Sequence, residues 1–420
     1  MKLLKSDGLR QSFFTIIGNL MGTALSAIAV ILFIRILGPE KYGEFSVGFA
    51  IVLMLTRLND FGLNPVIVKY ASETKSQTDK NFIYSFTLHK KLTISAVLIL
   101  VGILFYKQIS TALNLSEPLI ILFSFTFGLA TIYYEYLLSI LQSLHLFGKT
   151  VLINGIQAVV KLIAALALLF IGTHNLLPPY FWYIFATFVP FALFKFLVPK
   201  WVSLDFSLKN KPLAKKIWKL ASHASIGLIA AGFIENIDIL FVQKHLTTYE
   251  TGLYGGISRI ALFFAIVAYS LGNVLNARVA KYRSAEHLTS YFKKAAILAG
   301  LVLVSFLVFI PLAQPALFFS IGPEYLAGTN LLIILTAGSF FALAAIPFIA
   351  LFYALEADWY FSISGILQLA IALAGNILFV PVYGLEAAAW TRFVVRLFLL
   401  LITVLAGWLT FRKQYARKIA

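Results

Sequence analysis

Long apolar stretches alternate with short polar ones along nearly the whole chain. Twelve stand out, at 12–34, 44–67, 92–106, 118–141, 151–172, 179–198, 220–242, 253–276, 295–313, 326–353, 362–381 and 385–408. A helix needs ~20 mainly apolar residues to cross a bilayer, and runs this long without two-residue alternation predict helices rather than strands. The third stretch is short and borrows from 82–91. The tenth is long enough to tilt, or to kink at Pro347. The connecting segments are short, so the pattern predicts an all-α polytopic membrane protein of twelve spans with no extramembrane domain.

Composition agrees. Hydrophobic types make up 60% of the 420 residues and charged types 12%, whereas a soluble domain carries about 45–50% and about 25%. So few charges cannot coat a water-facing surface, which excludes soluble, disordered and collagen-like classes. Cysteine is absent, which removes disulfides, thiolate metal sites and Cys nucleophiles. Lys2, Lys5 and Arg10 lead straight into the first stretch with no small-residue cleavage pattern. That stretch therefore reads as a retained span rather than a signal peptide.

The net charge of +17 matters through its placement. Twelve spans put both termini on one side. That side receives Lys2, Lys5 and Arg10, then Lys69, Lys75, Lys80, Lys90 and Lys91, then Lys149. Lys195, Lys200, Lys209, Lys211, Lys215, Lys216 and Lys219 follow, then Arg278, Lys281, Arg283, Lys293 and Lys294, and finally Arg412, Lys413, Arg417 and Lys418. The other side receives only Arg35, Lys41, Lys107 and Lys244. Because Lys and Arg collect in cytoplasmic loops, both ends are expected in the cytoplasm. The Lys-rich run at 209–219 reads as an amphipathic cytoplasmic linker at the membrane surface, with an N-terminal lobe at 1–208 and a C-terminal lobe at 220–420. The basic charge is thus accounted for by membrane lipids, without nucleic acid.

Five cations fall inside predicted spans: Arg57, Lys161, Arg259, Arg392 and Arg396. Four acids do too: Asp60, Glu135, Glu235 and Asp238. A charge at the bilayer centre costs roughly +2.5 to +3.5 kcal/mol on insertion scales, so these groups must pair or line a wet cavity. Arg57 either meets Asp60 three residues on or faces a cavity. Lys161 either faces a cavity or pairs with Glu135. Arg392 and Arg396 share a helix face, and Arg396 is near enough to the cytoplasmic edge to snorkel. Glu235 and Asp238 either carry H⁺ or Na⁺ as a coupling ion or neutralise Arg259.

The chain also repeats itself at an offset of 209 residues. Gly18 falls on Gly227, Arg35 on Lys244, Gly43 on Gly252 and Phe45 on Tyr254. Six spans per half gives parallel repeats, an arrangement that places substrate between the halves.

Three segments resemble a known family. RILGPEKYGEFSVGFAIV (35–52), LLSILQSLHLFGKTVLINGIQAVVKL (137–162) and NILFVPVYGLEAAAWTRFVVRL (376–397) are similar to signatures of the polysaccharide repeat-unit flippases. These belong to the multidrug/oligosaccharidyl-lipid/polysaccharide exporter superfamily. The resemblance implies two pseudo-symmetric six-helix lobes around a central cationic cavity in the bacterial cytoplasmic membrane. It implies alternating access that moves an undecaprenyl-pyrophosphate-linked oligosaccharide outward, with glycosyltransferases and a polysaccharide polymerase as working partners and no cofactor. The chain has fewer spans than the lipid II flippases of the same superfamily, which argues against a peptidoglycan role.

Chemistry supports the cationic reading. A pyrophosphate crossing the membrane needs a positive surface to replace its hydration, and Arg supplies bidentate donors. Arg57, Arg259 and Lys161 are the expected contacts, with Arg392 and Arg396 after them. A multidrug exporter of cationic drugs is the first alternative, and the surplus of embedded positive charge argues against it. A membrane polymerase or ligase is the second, and it lacks the large outer loop that such catalysis uses. The first span has no acid, which removes one form of proton coupling. The six histidines are scattered without metal-ligand spacing, and the Asp60-Phe61-Gly62 triplet stands without companion kinase motifs.

Overall fold

The computed structural model describes the backbone of residues 7–171, 177–279, 285–354 and 359–419. Side chains are described outside 7–17, 19–20, 169–179, 191–192, 195, 264–285, 288, 353–359, 411 and 413–420. Lys2, Lys5, Arg10, Lys195, Arg278, Lys281, Arg283, Lys413, Arg417 and Lys418, whose charges entered the orientation argument, lie outside the described side chains.

The described residues are helical, with no strand among them. Among the described residues, eight helical stretches are long and apolar enough to span a membrane: Met21–Asp60, Gln77–Ala112, Leu119–Ser143, Phe147–Leu168, Lys211–His245, Thr289–Ser320, Pro323–Phe352 and Tyr360–Thr410. The chain is thus an all-α membrane protein. Two of these stretches break at a glycine. Gly38 (φ 65°, ψ 172°) splits α1 (Asp7–Asp60), and Gly384 (φ 65°, ψ −143°) splits α14 (Trp359–Ile419). Gly38 occupies a backbone region essentially closed to residues with a Cβ, and Pro39 follows without an N–H to continue the ladder.

Two compact units divide between Gly232 and Phe233. This boundary lies inside the seventh apolar stretch rather than at the Lys-rich segment. The reason is that 211–219 opens one continuous helix, α8 (Lys211–Ile234). Its Ile217 and Ala221 are buried with residues of the first unit.

The first unit holds α1, α2 (Leu63–Glu73), α3 (Gln77–Ala112), α4 (Leu119–Ser143), α5 (Phe147–Ile171), α6 (Leu177–Ala192), the short α7 (Phe194–Leu197) and α8. One apolar core joins Leu63, Ile67, Ile83, Tyr84, Tyr136 and Ile140 to α8. An aromatic cluster of Phe33, Phe45, Phe49, Phe127, Tyr180 and Tyr183 holds both arms of α1 to α4 and α6. The loop at 198–210 folds onto the start of α3, where Asn81 bonds Trp201 and Ser203, and Ser85 accepts from the Asp205 N–H. Ser207 donates to Asp205 through its hydroxyl and its backbone N–H, which lowers that carboxyl's pKa below its ordinary value.

The second unit contains α9 (Ile237–His245), α10 (Thr248–Val279), α11 (Ala285–Phe309), α12 (Ala313–Ser320), α13 (Thr329–Ala354) and α14. Phe348, Leu351, Phe352 and Tyr360 form its core with Ala295 and Ala299. Its helix bounds repeat those of the first unit within a few residues of the 209 offset: α3 corresponds to α11 with α12, α4 to α13, and α5 to the first arm of α14. The Gly38 break corresponds to the gap between α9 and α10.

Sequence signatures resolve into architecture. In 35–52, Gly38 makes the break, Tyr42 and Phe45 are buried, and the Glu44 carboxylate accepts from the Ser116 N–H at 2.8 Å. In 137–162, His145 (φ 57°) ends α4 and the Leu146 N–H returns to Leu141 O, a helix stop of Schellman type. In 376–397, Gly384 breaks α14, and Thr391 packs against Gly375 just before the segment, where a Cβ would collide with it. The third apolar stretch is the centre of the 36-residue α3.

Two outcomes follow. Single cysteines at Ser76 and Ser207 label with an impermeant maleimide from the same membrane side, and a cysteine at Ser116 labels from the other. Gly62→Ala lowers the thermal unfolding temperature in detergent. Its φ is +73° and an added Cβ would stand 2.5 Å from Ala221 O, so the conformation alone costs about 1–2 kcal/mol.

Candidate functional site

The Asp60-Phe61-Gly62 triplet is a helix break. Phe61 (φ 44°) and Gly62 (φ 73°) turn the chain between α1 and α2. Arg57 lies in the last turn of α1, where the helix dipole favours a cation. Asp60 precedes α2 and accepts from the Asn64 N–H at 3.1 Å, where the dipole favours an anion. The break thus fixes both charges, and they point to different partners.

Asp60 pairs with Lys91, Nζ to Oδ1 at 2.7 Å, and both side chains are buried. Asn59 braces the pair by donating to Lys91 O at 3.0 Å and Ser95 Oγ at 2.9 Å, and the Tyr133 hydroxyl donates to the same Ser95. This corrects the placement of Lys91 in a cytoplasmic loop. The helix simply continues through it, and burial opposite Asp60 replaces exposure to solvent.

Arg57 instead faces Glu135, with Nη1–Oε2 at 3.3 Å and Nη2–Oε1 at 3.4 Å. Neither expected ion pair forms: Arg57 takes Glu135 rather than Asp60, and Glu135 takes Arg57 rather than Lys161. The Arg57–Glu135 pair is looser than its neighbour, with side chains 37% and 26% exposed. It lies along a groove of about 760 Å³ that also meets Asn64, Lys69, Glu73 and Gln142. Gly232 on α8 makes room for the aliphatic stem of Arg57, since a Cβ there would overlap it.

Lys161 lines neither this groove nor the cluster described next. On α5, its ammonium stands 5.3 Å from the centroid of the Tyr183 ring, within cation–π range.

The second unit builds a comparable centre around another break. α8 ends at Ile234, Glu235 and Asn236 leave the helix, and α9 begins at Ile237. Arg392 closes the gap by donating to Glu235 O at 2.8 Å and pairing with Asp238 at 2.6 Å. Tyr254 donates to the same carboxylate, and Arg392 stands over the Tyr254 ring. Arg396 pairs with Glu235. The two carboxylates meet Arg392 and Arg396, and Arg259, partly buried on α10, also acts on Glu235 through its charge. Glu235, Arg392 and Arg396 line a small cavity of about 140 Å³ with Ser258 and Ser339.

Sequence reasoning missed Lys91, its braces Asn59 and Ser95, and Tyr254. For Lys91 the missing signal was the helix start: Ser76 accepts from the Asp79 N–H as a cap, which extends α3 across 82–91.

The model of the polysaccharide biosynthesis protein family matches residues 9–262. The chain belongs to that family. No curated protein matches it at significant similarity. Among solved structures, an inward-facing multidrug resistance MATE transporter superposes with a TM-score of 0.72 over 93% of this chain and 94% of its own, at 11% identity. The lipid II flippase MurJ, in an inward closed conformation, gives 0.74 over 94% and 87%, at 15% identity. A mutant of the Vibrio cholerae MATE transporter VcmN gives 0.62 over 97% and 98%, at 15%. At these identities the likeness is one of fold.

The two pairs of the first unit differ in exposure, and mutation separates them. Lys91→Met strands a buried carboxylate and lowers stability by about 3–5 kcal/mol, read as thermal unfolding in detergent. Adding Asp60→Asn recovers much of the loss. Arg57→Gln has a clearly smaller effect.

Proposed function

We propose that the chain flips undecaprenyl-pyrophosphate-linked oligosaccharide repeat units outward across the bacterial cytoplasmic membrane. It would do so as twelve spans in two six-helix lobes, with both termini cytoplasmic, by alternating access and without covalent chemistry. Membership of the polysaccharide biosynthesis family supports the substrate class. Glycosyltransferases that build the unit and a polymerase that consumes it are the partners this role requires.

The observation that carries the reading is the Arg57–Glu135 pair on its groove. The guanidinium already presents two donors side by side, the geometry that two oxygens of one phosphate accept. The pair is long and partly exposed, so a more highly charged pyrophosphate can take the place of Glu135. Lys91 and Asp60, short and buried, hold the helix break while that exchange happens. Lys161, whose ammonium stands over the Tyr183 ring, adds positive charge to the first unit, which supports an anionic cargo over a cationic drug. Asp238 is held by Arg392, Tyr254 and the Ile239 N–H, and Glu235 by Arg396, which supports charge pairing rather than ion coupling at these two acids.

In a strain that depends on this chain for glycan export, Arg57→Ala with Arg259→Ala abolishes surface glycan and causes lipid-linked intermediate to accumulate in the inner leaflet. Extraction of the lipid-linked pool and surface glycan staining read the two effects. Normal export by the double variant overturns the cationic assignment.

A further inference from the structure

The first unit contains a second polar pocket, of about 320 Å³, lined by Gly22, Thr23, Ser26, Tyr134, Asn154 and Gln157. Its size falls at the low end of the roughly 300–1,000 Å³ of small-molecule sites. No charged residue is among its described lining groups. Its functional groups are hydroxyls, a phenol and two carboxamides, brought together from α1, α4 and α5.

Helical periodicity shows that this polarity faces inward. On α5, Leu152, Val159, Ile163 and Leu166 are exposed apolar residues and form one stripe, the surface for lipid. Asn154, Gln157 and Lys161 form another stripe. At ~100° per residue the two stripes centre about 180° apart, so the amides point away from lipid. Both amides are anchored: the Tyr134 hydroxyl donates to Asn154 Oδ1 at 2.5 Å, and Gln157 Nε2 donates to Thr187 Oγ1 at 3.4 Å. Gly22 keeps the facing wall of α1 low, since even a Cβ there would only just reach Asn154.

Polar groups within a membrane span cost free energy unless they meet each other, water or a ligand. An uncharged set of donors and acceptors is matched to a neutral, hydroxyl-rich molecule and offers nothing specific to an ion. Lys161 extends the same stripe seven residues beyond Asn154, about 10.5 Å along the helix. One helix face therefore presents neutral hydrogen-bonding groups followed by a cation, the order in which a phosphorylated saccharide presents hydroxyls and charge.

We propose that this pocket is a saccharide subsite, which binds hydroxyls of the sugar next to the pyrophosphate through Asn154, Gln157, Thr23 and Ser26. The proposal rests on the flippase reading and deepens it, separating recognition of the sugar from recognition of the phosphate.

The test uses the full chain in lipid nanodiscs and two probes. One is the phosphate-free oligosaccharide released by mild acid from the polyprenyl-pyrophosphate lipids of the source cells. The other is undecaprenyl pyrophosphate without sugar. Asn154→Leu with Gln157→Leu is expected to weaken oligosaccharide binding by about tenfold or more, the loss of one or two buried hydrogen bonds, and to leave undecaprenyl pyrophosphate binding within about twofold. Should that variant elute as aggregate, Thr23→Val with Ser26→Ala tests the opposite wall with the same expectation. Unchanged oligosaccharide binding, equal loss of both probes, or no oligosaccharide binding by the wild type overturns the subsite. Oligosaccharide binding that is lost in the variants, from a wild type that ignores undecaprenyl pyrophosphate, keeps the subsite and overturns the flippase reading instead.

Discussion

Hydrocarbon does not solvate charge, and each functional feature of this chain answers to that fact. Asp60, Glu135, Glu235 and Asp238 each acquire a cation, and each cation comes from a different helix than its acid. The partnerships are therefore tertiary contacts that double as structural ties: α1 to α3 through Asp60 and Lys91, α1 to α4 through Arg57 and Glu135, and the segment after α8 to α14 through Glu235, Asp238, Arg392 and Arg396. Where the tie is short and sealed, it is scaffold. Where it is long and half open, as at Arg57, it is available to a ligand.

Both units place these ties at helix breaks. A break in a span frees backbone groups that lipid cannot satisfy, and the charged side chains do that work. Asp60 takes the Asn64 N–H, and Arg392 takes Glu235 O. Charge and broken backbone thus stabilise each other, and removing either leaves the other exposed. This mutual dependence explains why acids sit three residues apart or less from a break in each half, at Asp60 and at Glu235 with Asp238.

The class of fold was legible because it depends on apolar length, which a sequence displays directly. The 209-residue repeat was legible because glycine and aromatic positions at the first break recur. The embedded residues were legible as a set, since charge inside an apolar run is conspicuous. Their pairing was not. Arg57 and Asp60 share the last turn of α1, yet Glu135 on α4 and Lys91 on α3 each claim one of them, and spacing along one helix does not reveal partners on others. Lys91 escaped notice because it followed Lys90 at the edge of an apolar stretch, where burial depends on a partner 31 residues away. The neutral pocket escaped because Thr, Ser, Asn and Gln are ordinary in helices, and only three helices together give them meaning. Asn114 has a local role: it occupies a left-handed position after α3 (φ 50°), which Asn tolerates better than most residues.

The separations of the two sealed bridges also bear on how the polypeptide is made. Asp60 and Lys91 are 31 residues apart, so they emerge from the ribosome almost together and can enter the bilayer as a neutralised hairpin. Asp238 and Arg392 are 154 residues apart. At roughly 5–20 residues per second, Asp238 waits about 8–30 s for its guanidinium. During biogenesis the second half must therefore shelter an orphan acid, protonated or held at the insertion machinery, until the last helix arrives.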